Sequence, residues 1–243
     1  QANQSCVGWA VAYALKTYQE WTERNWSITR PDGSLDANRI FSPAFIYNQI
    51  NGGQDRGSNF GDAFRVLATQ GAAPWSAMPY RGQAFEPVPA AARAAAAPYR
   101  IDTFRTIDHR NPAEVKTQLV AGFPVIIGSR IHRQFVNLPA NGIWTYADGP
   151  NLGNHAMVVV GYDDERQAFK VINSWGREWS SGGYGWISYG LFTQVVNEAY
   201  VVVDLKGVDA EAGPATPDVW TPPTIAPEAS TIVVDQQFIN PNF

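Results

Sequence analysis

The sequence predicts an α+β protein with its helices first and its strands second. Three observations carry this. Before residue 100, apolar residues recur at helical spacing in several stretches. After it, the runs PVIIGS, HAMVVVGYD, AFKVINSW, GYGWISY and EAYVVVDL are rich in β-branched and aromatic residues and are split by glycine-rich turns. Between the two patterns lies PVPAAARAAAAP at 87–98, alanine-rich and bounded by prolines, which reads as a short surface helix or a linking arm. A chain of 243 residues is long enough for one large core or for two lobes sharing a cleft.

The elements follow in order. Residues 6–21 form the first predicted helix, with Ser5 as N-cap and Trp9, Ala10, Tyr13, Ala14 and Tyr18 at helical spacing. Its small residues Gly8, Ala10, Ala12 and Ala14 predict close packing, hence a central helix. Ser42 and Pro43 start a second helix, the first as cap and the second in the opening turn. NGGQDRGSN at 51–59 is a loop by composition, and GDAFRVLATQG is a third helix stopped by Gly71. Pro74 and Pro79 enforce extended or turn backbone up to Tyr80. NPAEVKTQLVAG opens with Asn111 as cap and Pro112 at the first helical position. The expected organisation is a mainly helical part at 1–100 and a mainly β part at 101–206. A Pro, Gly and Ala-rich linker at 207–228 follows, then a β-prone tail at 229–243 that pairs with a strand edge or lies in a groove.

Composition excludes several function classes. Eighteen basic against 22 acidic residues, with no basic block, argue against nucleic acid as a partner. No apolar run approaches the roughly 18 residues of a membrane span. A single cysteine forbids an internal disulfide and any two-cysteine metal motif. The histidines His109, His132 and His155 are too few and too unpatterned for a metal site. DGPNLGNH at 148–155 is a turn-rich lead-in to a strand, not a calcium loop. No metal and no cofactor is expected.

The chemistry is expected at Cys6, His155 and Asn173. Each alone has an ordinary reading: a small buried hydrophobe, a boundary histidine, a turn asparagine. Together they describe a nucleophile and its base. A thiol at a helix start feels backbone N–H groups and the helix dipole, which favour thiolate. An imidazole can take its proton and form an ion pair. An asparagine oxygen can then hold that ring without adding charge. The order Cys, His, Asn, with the histidine about 150 residues after the cysteine, is one found in thiol peptidases.

NQSCVGWA resembles the nucleophile segment of the papain-like cysteine peptidases. NHAMVVVGYDDERQAFKVINSWGREWSSGGYGWISYG resembles their His and Asn segments nearly end to end. NGGQDRGSNFGDAFRVLATQGAAPWSAMPY resembles the loop, helix and Pro-Tyr segment of their left lobe. The likeness runs over roughly residues 1–205. It implies a two-lobe fold, with a helical left lobe, an antiparallel β-barrel-like right lobe and the active-site cleft between them. It implies Cys6 as nucleophile, His155 as base and later acid, and Asn173 as the residue that orients His155. Trp175 would cover the His–Asn contact, and Trp179 would line the leaving-group side. For the oxyanion donor two glutamines compete. Gln1 is favoured, although it stands one residue closer to the cysteine than the family spacing; Gln4 is nearer still. The backbone N–H of Cys6 would be the second donor.

The resemblance further implies a peptide or protein substrate held in extended form, paired with the loop at Gly57, Ser58 and Asn59. The main side-chain pocket would be formed by Asn59, Phe60, Met78, Gly128 and Ala156, with an apolar preference two residues before the cut. Val7 stands where better-known members carry tryptophan after the nucleophile, and their disulfides are absent, features closer to bacterial or archaeal members. The start at Gln1 reads as a cut chain. A signal and pro-segment are expected upstream, with the removed pro-segment as a second partner and a secreted or cell-envelope location. The expected activity is endopeptidase. The alternatives are a catalytically weak or inactive binding or scaffold module, and a transpeptidase or amidase using the same acyl-enzyme chemistry.

Overall fold

In the computed structural model, which describes residues 3–83, 86–205 and the backbone of 231–233, the first helix runs in three joined pieces. They are α1 (Cys6–Gly8), a π-helical stretch (Trp9–Lys16) and α2 (Thr17–Arg24). The π stretch is marked by the Thr17 N–H, which reaches back to the carbonyl of Ala12, five residues rather than four. The helix passes the predicted end and stops at Asn25, whose φ of 48° breaks it. Every residue from Trp9 to Lys16 is buried. A Cβ on Gly8 would lie 2.7 Å from the Pro43 carbonyl oxygen. Only glycine lets α3 (Pro43–Ile50) approach so closely.

The next helix starts at its predicted cap, and the one after it starts at a cap that lies inside the predicted loop. The Ser42 hydroxyl accepts from the Phe45 N–H at 3.3 Å and starts α3. Asn59 Oδ1 accepts from the Asp62 N–H at 2.8 Å and starts α4 (Phe60–Gln70), which Gly71 ends at φ 86°. The alanine-rich stretch forms α5 (Ala90–Ala96). It is no free arm: Ala92 and Ala96 are fully buried, and the Ala96 carbonyl oxygen would sit 2.0 Å from a Cβ on Gly71.

From Ile101 on, the chain builds one sheet. Its strands are β1 (Ile101–Thr106), β2 (Val125–Ile131), β3 (Ile143–Trp144), β4 (Gly153–Asp163), β5 (Ala168–Ile172), β6 (Tyr184–Ser188) and β7 (Val196–Asp204). Their order is β1-β7-β2-β4-β5-β6-β3. Neighbours are antiparallel except β3 and β6, which run parallel. The barrel-like expectation needs correction here. The sheet is open, with β1 at one edge and the two-residue β3 at the other, too short to carry closure. β1 escaped sequence reading because most of IDTFRT is exposed and charged or polar. Helices α6 (Pro112–Val120), α7 (Arg133–Val136) and α8 (Tyr189–Val195) complete this half.

The sheet separates two cores. Along β4, Ala156, Val158 and Val160 face the core that contains the central helix. Met157 and Val159 face the other, shared with Val115 and Leu119 of α6, Phe135 of α7 and Phe192 of α8. This is why AMVVV in β4 is apolar without a break: both faces of the strand are covered. Lys16 adds a polar tie between the halves. It is fully buried and pairs with Glu20 at 2.7 Å and with Asp204 at the end of β7, so its charge is matched by carboxylates away from water.

The tail supplies a last strand, β8 (Thr231–Val233), antiparallel to β4 at Gly161, Tyr162 and Asp163. It takes up the strand edge beyond the last β2 pair, Val125 with Val159. Gly161, Tyr162 and Asp163 lie six to eight positions, or about 20–26 Å, along β4 from His155. Gln1, the linker 207–228 and the rest of the tail lie outside the described residues. Among the described residues no helix is long and apolar enough to cross a membrane, and no cluster of three His, Cys, Asp or Glu could hold a metal.

Candidate active site

His155 stands near the start of β4, paired with Ser129 of β2. Asn173 follows the last residue of β5, and its N–H donates to the Gly183 carbonyl at 3.0 Å. The β4–β5 register pairs Val158 with Ile172. One step further sets Asn173 opposite Met157, so His155 is its diagonal neighbour on the same face. The ring and the amide meet there, with His155 Nε2 2.7 Å from Asn173 Oδ1. The Ser174 N–H donates to the same oxygen at 2.7 Å. That fixes Oδ1 as an acceptor, so the proton in the His155 contact belongs to Nε2. Nδ1 is thereby left with its lone pair, the form a general base needs.

Trp175 lies over this ring, with centroids 4.7 Å apart and planes 29° from parallel. Trp175 meets Trp179 edge-on at 5.7 Å, and Phe135 packs on both. Trp179 is itself buried and donates its indole N–H to the Phe135 carbonyl at 3.2 Å. The aromatic stack dries the imidazole. Burial holds the His155 pKa down at about 4, against the Asn173 hydrogen bond, which raises it.

Cys6 opens α1 and is partly exposed. Ser5 occupies the cap position, but its side chain makes no cap bond. Its hydroxyl is 2.8 Å from the Tyr80 hydroxyl instead. The N–H groups of the first turn are therefore left for the sulfur. Burial pushes the Cys6 thiol up, while N–H groups of Ala156, Val7 and Cys6 itself pull it down. The Ala156 contact joins the two ends of the site, because Ala156 follows His155 on β4. The thiolate expected from the helix start thus meets an opposing effect. Burial disfavours a charge on the thiol and on the imidazole alike, so each is neutral when considered alone.

The other predicted residues are placed as follows. Gln4 turns away from the cysteine: its N–H donates to Asp55 Oδ1 at 2.9 Å and its carboxamide N–H to the Asp55 carbonyl at 3.4 Å. Gly57 and Ser58 belong to the loop that Gln4 touches, with Gln4 Oε1 3.9 Å from a Cβ built on Gly57. The Asn59 carboxamide is engaged as the α4 cap, and its carbonyl accepts the Ala63 N–H at 3.4 Å. Phe60, Met78 and Ala156 share one core and are buried. Gly128 pairs with Ala156 on one side and with Glu198 of β7 on the other. Glu198 was not singled out in the sequence, where EAYVVVD reads only as a strand. Its side chain lies across Gly128, with Oε1 2.6 Å from where a Cβ would be. The Tyr200 hydroxyl donates to its other oxygen at 2.9 Å.

Comparisons with known proteins bear on the family and the fold. The chain is 26% identical over 196 residues to an uncharacterized peptidase C1-like protein of Acanthamoeba polyphaga mimivirus, covering 74% of this chain and 60% of the relative. It therefore spans less than two thirds of that relative's length. A shorter stretch of 61 residues is 38% identical to gamete and mating-type specific protein A of Dictyostelium discoideum, covering 25% of this chain and 13% of that protein. Among solved structures, xylellain, a cysteine protease from Xylella fastidiosa, superposes with a TM-score of 0.69 at 23% identity, covering 83% of this chain and 80% of its own. The bromelain protease of Ananas comosus, solved with the inhibitor E64, gives 0.63 at 16% identity, covering 83% of this chain and 89% of its own. The model of the papain family cysteine proteases matches residues 11–203. With that match over most of its length, and with this fold, the chain belongs to the papain family of cysteine proteases.

Proposed function

We propose that the protein is a cysteine endopeptidase in which Cys6 is the nucleophile, His155 the base and acid, and Asn173 the residue that orients His155. The observation that carries this reading is the fixed tautomer of His155, with Nε2–H spent on Asn173 and Nδ1 left basic beside the strand residue that meets the thiol. The proton leaves sulfur for Nδ1, so thiolate and imidazolium form together as a pair and neither charge is buried alone. Sulfur bonds to the scissile carbonyl carbon, and the carbonyl electron pair moves onto oxygen. The first-turn N–H of Cys6 is one donor to that oxygen. Gln1 is the proposed second donor, since the Gln4 amide is engaged on Asp55. His155 then protonates the departing amine. A water deprotonated by His155 releases the acyl group and restores the thiol.

The substrate is proposed to be an extended peptide running along Gly57 and Ser58. Trp175 keeps water from the His–Asn contact, and Trp179 supports Trp175 from beneath. Phe60, Met78, Gly128 and Ala156 supply apolar walls for the side chain two residues before the cut, in keeping with the apolar preference. Glu198 adds a carboxylate at Gly128, which suits a side chain with an apolar stem and a basic end. A pro-segment as a second partner is supported by a neighbour solved in its proform, the ragweed pollen cysteine protease Amb a 11, at a TM-score of 0.65.

The test is peptide cleavage together with alkylation of the single cysteine, followed by intact mass. Wild type is expected to cleave a mixed peptide library, and Cys6→Ala to lose at least about 10⁴-fold in rate. Cleavage by Cys6→Ala at the wild-type rate would refute the reading. Products joined rather than hydrolysed would favour the transpeptidase alternative.

A further inference from the structure

We propose that Asp55 is a positioning residue for the nucleophile, acting on Cys6 through the backbone of Gln4. The inference rests on the peptidase reading for what Cys6 does, but its geometry is independent of that reading. With one cysteine in the chain, no disulfide ties down the segment that precedes the nucleophile. Hydrogen bonds do this from two sides. On one side Tyr80 donates to Asn3 Oδ1 at 2.7 Å and pairs with the Ser5 hydroxyl, while the Asn3 amide donates to the Gly82 carbonyl at 3.2 Å. On the other side stands Asp55. Its Oδ1 accepts the Gln4 N–H at 2.9 Å, and its carbonyl accepts the Gln4 side chain.

What makes Asp55 more than a loop contact is its second donor. The same Oδ1 accepts the Tyr47 hydroxyl at 2.8 Å. Tyr47 is fully buried on α3, and its Cβ lies 3.2 Å from a Cβ built on Gly8. Tyr47 therefore touches the nucleophile helix one residue beyond Val7, and through Asp55 it also holds the residue two before Cys6. The nucleophile is bracketed by one rigid side chain, and the carboxylate is the link that closes the bracket. A carboxylate suits this role, because one oxygen must take two donors from different elements. Burial and then the Asp55 charge push the Tyr47 hydroxyl far above its ordinary pKa, so it remains a donor throughout the physiological range. Releasing Gln4 would let the Cys6 N–H and Sγ drift relative to His155, and a displacement near 1 Å can cost up to about 10²-fold.

The test compares wild type, Asp55→Ala and Asp55→Asn by alkylation of Cys6 with iodoacetamide and by steady-state peptide cleavage, each well below the melting temperature. Asp55→Ala is expected to slow alkylation and kcat by about tenfold with KM nearly unchanged. Asp55→Asn, which keeps an acceptor oxygen, should recover most of the rate. A melting temperature lowered in Asp55→Ala with alkylation and kcat as in wild type would mean a structural role only and would overturn the proposal. So would Asp55→Asn behaving no better than Asp55→Ala. Should Asp55→Ala not fold, amide exchange of Gln4 in wild type decides. Protection there supports the link, and exchange at the free-peptide rate overturns it. Alkylation needs no substrate, so it reads Asp55 even if wild type cleaves nothing, an outcome that would sink the peptidase reading alone.

Discussion

The two ends of the site are built differently. His155 and Asn173 belong to paired strands and the turn that leaves them, and their meeting follows from the β4–β5 register. Cys6 instead stands at the junction of a short turn and a buried helix, and hydrogen bonds from two loops hold Gln4 and Ser5 just before it. A strand register is cooperative and hard to shift by one residue without turning side chains to the wrong face. A turn has no such ladder. The His155 end is therefore expected to be rigid and sensitive to what it touches, and the Cys6 end to be sensitive to what holds it. Burial treats the two alike, since it opposes charge on both groups.

The largest effect that would sharpen this comparison is at Asn173. Asn173→Ala frees the ring to turn and to take the other tautomer, and kcat should fall roughly 10³-fold with the fold intact. A loss below tenfold would mean that the sheet and Trp175 hold the ring without the amide.

The next effect is on stability. Burial keeps the His155 pKa at about 4 in the folded protein, against about 6.5 in an unfolded chain. Between these values the unfolded state binds more protons than the folded one. The His155 contribution is therefore complete above about pH 6.5, falls away as pH drops through that window and is gone below about pH 4, a span of roughly 3 kcal/mol. Urea melts of wild type and His155→Gln across this range should differ in slope. Parallel curves would show that the imidazole is not buried in solution.

Trp175→Ala comes third. Rehydrating the ring favours the imidazolium, so the acidic limb of the pH–rate profile should move up toward the ordinary histidine value, with activity at neutral pH down about tenfold. An unmoved limb would assign the drying to other neighbours. Smallest is Glu198→Gln, expected to reduce preference for a basic over an apolar side chain two residues before the cut by a few fold, in keeping with a partly exposed charge pair. Equal loss for both substrates would place Glu198 outside the pocket.

Much of this was legible in the chain because it depends on local chemistry. Ser42, Asn111 and Gly71 marked helix ends through their own hydrogen bonds or backbone freedom, whereas Asn59, also a cap, reads by composition only as the end of a loop. Strands such as HAMVVVGYD announced their burial by composition. Ser5 misled for a non-local reason: it has the chemistry of a cap, but Tyr80, distant in sequence, competes for its hydroxyl. The π-helical turn was invisible, because over two turns its period cannot be told from that of an α-helix. β3 has only two residues and β1 carries charged ones, so neither gave a pattern to read.

The sequence by itself determined which residue types were available for chemistry: one thiol, three imidazoles, and helices and strands in a known order. Those properties are fixed by side-chain chemistry and by periodicity within a few residues. Only the tertiary structure decided that Ala156 brings its N–H to the thiol, that Ser174 fixes the face Asn173 presents to His155, that Trp175 lies over the ring, that Glu198 lies across Gly128 and that Asp55 accepts from Gln4. Each of these joins residues far apart in the chain. No local propensity encodes such a contact, because it is set by strand register and by how the helical core packs against the sheet.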